Sequence, residues 1–209
     1  MDILFKSKWM EKCIRRALEK PEGTISKEEI SKIKYAKTGG DFSGSIIFEL
    51  STSIPPEPFV AFDGGDEWAV CLHSSTTLGE KYKLGDYIKT NHGFYIHHRN
   101  IDEWEYAYSG EASKAWNTFE KNIVKNNAYE DYTKEENLSL CSSLIATEDL
   151  ALLSGLSVLR LYEMEIESVE WFNFFKELKV LELAETHIKK DADNAEAFSR
   201  LKQVTIWWD

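Results

Sequence analysis

Apolar positions in the last third of the chain recur at a fixed spacing. Leu156-x-x-Leu159-x-Leu161-x-x-Met164-x-Ile166 returns 22 residues later as Leu178-x-x-Leu181-x-Leu183-x-x-Thr186-x-Ile188. A third copy, Leu201-x-x-Val204-x-Ile206, begins 23 residues on, and a degenerate one, Leu138-x-Leu140-x-x-Ser143-x-Ile145, lies 21 residues before the first. Within each copy the apolar-x-apolar pair has the two-residue period of a strand, so both apolar side chains point one way and their neighbours the other. Stacked copies of such a unit bury one continuous apolar face.

A different period governs the N-terminus. Phe5, Trp9, Met10, Cys13, Ile14, Ala17 and Leu18 follow the three-to-four-residue spacing of an amphipathic helix that stops at Lys20-Pro21-Glu22-Gly23. Ser26 and Glu29 then form a capping-box pattern with Ile25 and Ile30 placed as its hydrophobic staple, which predicts a short helix from about Lys27. The segment FKSKWMEKCIRRALEKPEGTISKEEISKIKYAKTGG resembles the helical N-terminal cap of bacterial leucine-rich-repeat proteins of the internalin-like type, and the 22-residue apolar grammar resembles their repeats. The resemblance covers residues 5–39 and 137–209. It implies a cap helix leading into a first repeat strand at Ile33 and Tyr35, and a binding role without built-in chemistry.

The chain departs from that family at the turn position usually held by Asn, which is Ser143, Met164, Thr186 and Asp209 here. Met164 cannot hydrogen-bond a neighbouring turn, so a short, irregular array is expected, its turns satisfied some other way. Trp207-Trp208-Asp209 falls on a repeat strand, to be shielded by its own aromatics or by another protein.

Residues 40–136 lack the repeat grammar. Apolar runs at Ser45–Leu50, Phe59–Phe62, Trp68–Leu72 and Phe94–His97, separated by Pro55-Pro56, Gly64-Gly65, Gly85 and Gly93, predict short strands joined by turns. Ala112–Val124 predicts a helix with Ala112, Ala115, Trp116, Phe119 and Ile123 on one face. The fold class expected is therefore α+β, divided into a helical cap with the first strand (1–39), an inserted antiparallel α+β subdomain (40–136) and the repeats (137–209).

Charge narrows the partners. Residues 1–39 hold ten Lys/Arg against six Asp/Glu, a net of +4, and residues 40–209 hold fifteen against thirty, a net of −15. An acidic body repels phosphate backbones, which argues against nucleic acid, and steers basic proteins toward it; the same surface also serves solubility. No apolar run reaches the ~18–20 residues of a membrane span, and the start lacks a signal-peptide pattern, so a cytoplasmic protein is expected. Cys13, Cys71 and Cys141 sit in apolar contexts and read as buried, reduced thiols.

Chemical candidates are thin. His92, His97 and His98 sit close together and, with Asp63, Asp66 or His73, could supply metal ligands of the right type, but adjacent His97 and His98 point to opposite sides of a strand, so no metal and no cofactor are expected. Asp63-Gly64-Gly65-Asp66-Glu67 fits a turn better than a site, since no phosphate loop or nucleophile motif accompanies it. The alternative to a binding protein is a small hydrolase-type enzyme with its site in the 59–98 region, around Asp63, Asp66, His73 and His97.

With leucines inward, the opposite side of the repeat strands carries Arg160 and Tyr162, Glu182, and Gln203, Thr205 and Trp207. Arg, Tyr and Trp dominate interface energetics, which makes this face the candidate partner site. It is either open to a basic protein ligand or covered by the inserted segment folding back. The function expected is a non-catalytic protein–protein interaction module suited to an immunity or inhibitor role against a basic toxin or effector.

Overall fold

The computed structural model describes residues 3–40, 45–56, 70–73, 87–90, 93–96, 111–128, 144–184, 186–190, 201 and 203–207. Helix α1 (Lys8–Ala17) buries Met10, Cys13 and Ile14, the stripe its periodicity predicts, and starts at Ser7, whose side chain accepts from the Met10 amide. Helix α2 (Lys27–Ile30) carries both halves of the expected capping box: Glu29 N–H donates to Ser26 Oγ and Ser26 N–H to Glu29 Oε2. Ile25 and Ile30 are both buried, as a staple requires.

The first strand, β1 (Tyr35–Gly40), starts two residues later than the Ile33–Tyr35 expectation. Tyr35 pairs with Val158, so Ala36 and Thr38 occupy the register of Leu159 and Leu161, and Ile33 that of Leu156. The larger apolar residues misplaced the strand; the sheet takes the small Ala36 and the hydroxyl Thr38 inward. Near the end of β1, Gly39 has φ +129° and lies so close to Tyr162 that a Cβ there would sit 1.6 Å from the Tyr162 carbonyl oxygen.

Strands β2 (Ile46–Ser51), β3 (Val70–His73), β4 (Tyr87–Thr90) and β5 (Gly93–Ile96) precede helix α3 (Glu111–Glu120), and helix α4 (Thr147–Leu150) leads into the repeats. There β6 (Val158–Tyr162), β7 (Glu165–Ser168), a 3₁₀ helix (Val169–Phe174), β8 (Val180–Ala184), β9 (His187–Lys190) and β10 (Gln203–Trp207) follow. One sheet has the order β2-β1-β6-β8-β10-β3. Its β1, β6, β8 and β10 are parallel and in register, Tyr35, Val158, Val180 and Gln203 standing side by side. β7 and β9 form a second parallel pair, and β4 and β5 an antiparallel one.

The architecture is α+β, with helices and mixed sheets. Segment 40–136 is woven into the main sheet: β2 pairs antiparallel with β1, and β3 with β10. The chain then returns along the far edge of β2, where Leu50 and Val124 exchange backbone hydrogen bonds of 3.1 and 2.8 Å and Asn126 closes on Phe48 at 2.8 Å. Helix α3 ends at Glu120 rather than Val124, because Val124 is needed for that pairing. β4 was not expected from the apolar runs; Phe59–Phe62 lies outside the described residues.

On one side the main sheet packs Phe48, Leu159, Leu161, Leu181 and Leu183 against Met10, Ile14, Leu150, Leu153, Phe172 and Phe175 in one apolar core. Two turn positions solve their problem differently. Thr186 Oγ1 donates to the Leu161 and Ala184 carbonyls at 3.0 and 3.1 Å, bridging neighbouring copies, whereas Met164 packs into the core and only its carbonyl is used, by His187 N–H at 2.8 Å.

Candidate functional site

Much of the described part of the face proposed for partner binding is buried. Tyr35, Ile47, Val158, Val180 and Ala184 point to that side and are all buried. Phe119 of α3 packs edge-on against Tyr35, centroids 5.3 Å apart. At Tyr35 the inserted segment is folded back onto this face; a sheet that is parallel through its middle is normally covered on both faces. The exposure expected for Arg160 and Glu182 is therefore corrected: they are 9% and 1% exposed.

Their chemistry is that of an internal polar cluster. Arg160 Nε lies 3.0 Å from Glu182 Oε2, Tyr162 Oη donates to Glu182 Oε1, and Lys37 Nζ sits 4.7 Å over the Tyr162 ring. Burial, with the Glu182 carboxylate beside it, pushes the Tyr162 phenol far above its ordinary range. Burial does the same to Tyr35, opposed in part by the Arg160 charge. Gln203 and Thr205 pair through their backbones with Val180 and Glu182, and Trp207 with Ala184; their side chains lie outside the described residues. So do Asp63, Asp66 and His97, while His73 is placed only as a backbone position in β3.

An open cleft of about 510 Å³ lies along β7. Residues 145–148 and Lys6 form one wall, residues 164–167 the other, with Trp171 and Lys189 also lining it. The first wall is held by Asp149, which accepts Lys6 N–H and Ser7 N–H at 2.9 and 2.7 Å, while Ser7 Oγ reaches the Leu144 carbonyl at 2.5 Å. Lys6 pairs with Glu148 and, by hydrogen bonding it, holds that carboxyl below the usual range. Across the cleft, Lys189 Nζ is shared between Glu165 at 3.1 Å and Glu167 at 3.9 Å. Phe174, 57% exposed, belongs to the 3₁₀ helix that follows β7.

Sequence reasoning treated Met164 and Ile166 only as repeat core and passed over Glu165, Glu167 and Lys189. The signal was there: Ile166 and Ile188 recur at the same 22-residue spacing with polar neighbours on both sides, the mark of a second, half-exposed strand. In segment 169–175 Val169, Phe172 and Phe175 are buried, Trp171 is half-buried and Phe174 is exposed. No family model matches the chain, and no curated protein or solved structure matches it significantly. Among the described residues no helix is long and apolar enough to cross a membrane.

Proposed function

We propose that the chain is a short, irregular leucine-rich array whose inserted segment completes the sheet, and that it works as a non-catalytic protein-interaction module for a basic partner. The repeat reading is supported by the in-register parallel strands at 22- and 23-residue spacing and by the Thr186 bridge between copies. The interaction reading is carried by one observation: Arg160 and Glu182 are buried, and a cleft edged by Glu148, Glu165 and Glu167 is open. An acidic rim on a body of net charge −11 favours a basic ligand through steering and complementarity. An immunity or inhibitor role against a basic toxin or effector suits such a module, as does a cytoplasmic setting.

The test is reconstitution with a basic partner protein isolated from the native host. Glu165→Gln/Glu167→Gln should weaken its binding tenfold or more, a loss of about 1.4 kcal/mol, with association becoming less salt-dependent. Unchanged affinity in the double variant, with binding lost instead on Trp207→Ala in a folded protein, would return the site to the repeat face.

A further inference from the structure

We propose that the cleft takes one arginine side chain of the basic partner, its guanidinium stacked on Trp171 between the carboxylates of Glu148 and Glu165. This rests on the interaction reading above and names the group that anchors it.

The aromatic part of the site follows from the helix type. A 3₁₀ helix repeats every three residues, so Trp171 and Phe174 of Val169–Phe174 share one side of it. Burial keeps that period: Val169, Phe172 and Phe175 are buried, while Trp171 lines the cleft and Phe174 is 57% exposed. Trp171 meets Phe172 and Phe175 edge to face, with centroids 5.3 and 4.8 Å apart, which fixes its ring where it lines the cleft. A fixed ring beside carboxylates is a platform for a cation.

Glu148 and Glu165 stand on the two walls with 59% and 49% of their side chains exposed. Each is paired with one lysine, Lys6 or Lys189, at the surface. Such pairs contribute little, and a carboxylate so paired keeps lone pairs for further donors. Ile145, Met164 and Ile166, all buried, give the cleft an apolar floor. On a chain of net charge −11 this combination favours a basic group with an apolar stem.

Arginine meets these demands better than lysine. Its guanidinium is planar and weakly hydrated, lies flat on an aromatic ring and offers five donors in a fork that suits carboxylates. The lysine ammonium is a compact, strongly hydrated charge that gains less from the ring.

The probes are capped tripeptides with arginine, lysine or neutral citrulline between two glycines, at about 50 mM salt, where surface charges are weakly screened. Titration followed by NMR should show the arginine peptide saturating shifts of the Trp171 indole and of the amides of residues 145–148 and 164–167. It should bind about threefold or more tighter than the lysine peptide, and the citrulline peptide should not bind. Trp171→Leu, folded by circular dichroism, should erase the preference for arginine over lysine. Glu148→Gln/Glu165→Gln, changed only at exposed side chains, should weaken both cationic peptides and keep that preference.

Equal binding of the arginine and lysine peptides, or shifts outside the cleft, would overturn the arginine anchor while leaving an acidic interaction surface. No peptide binding would also overturn it; the interaction reading then stands if an isolated basic partner is weakened by Glu165→Gln/Glu167→Gln, and falls with it if that partner is held equally well. Self-association of the parent that Trp171→Leu abolishes would overturn a foreign partner and give the cleft to a second copy of this chain.

Discussion

Arg160 and Glu182 stand 3.0 Å apart with 11% and 1% of their side chains exposed, so each offsets much of the other's cost of burial. Removing one partner strands a buried charge: Arg160→Leu or Glu182→Leu should each cost about 3–5 kcal/mol. The double replacement should cost less than the sum of the two, which a double-mutant cycle by denaturant unfolding reads directly. Additive losses would mean the charges are solvated separately.

The two tyrosines beside that pair add a pH dependence. Both are pushed upward by burial, so the folded state keeps their protons where the unfolded chain has lost them, and stability falls as pH rises above about 10. Tyr35→Phe/Tyr162→Phe should therefore lose less stability than the parent between about pH 9 and about pH 11, as measured by urea unfolding. An identical alkaline limb would contradict the burial of these phenols. Cys13 belongs to the same scale: burial raises its thiol to about 12, so in a background without Cys71 and Cys141 it should resist alkylation until the protein is unfolded.

At the scale of elements, the glycine near the end of β1 sets how closely the cap strand meets the first repeat. Gly39→Ala would drive a methyl into the Tyr162 backbone at a φ side chains rarely adopt, and should cost about 2 kcal/mol or more by thermal unfolding. Tolerance of alanine would mean that β1 and β6 do not pair in this register. The caps and repeat strands were legible in the sequence because their signals are local: Ser26 with Glu29, and Leu159, Leu161, Leu181 and Leu183 at strand period. The start of β1 was not, because Ala36 and Thr38 are inward for reasons of fit with their neighbours, which apolar periodicity does not register.

At the scale of the whole molecule, the insertion changes what the repeats can do. Its strands supply both edges of the main sheet, and Phe119 meets Tyr35 on the face that bare repeats would present to a partner. Sequence alone could nominate Arg160, Tyr162 and Glu182 as interface types, since their chemistry suits an interface. Whether that interface lies within one chain or between two depends on contacts distant in sequence, such as Phe119 with Tyr35, which local patterning does not encode. Among the described residues, an open cleft lies along β7.

Adjacent residues of β8 test this most directly, because Val180 and Leu181 point to opposite faces of the sheet and both have 0% exposure. Urea unfolding of Val180→Ala and Leu181→Ala, each against the parent, compares the two sides of one strand. A sheet filled on both faces predicts that Leu181→Ala costs about 2–5 kcal/mol and Val180→Ala about 1–3 kcal/mol. A full loss at Leu181 with a near-neutral Val180→Ala would contradict the account and leave that face open to a partner.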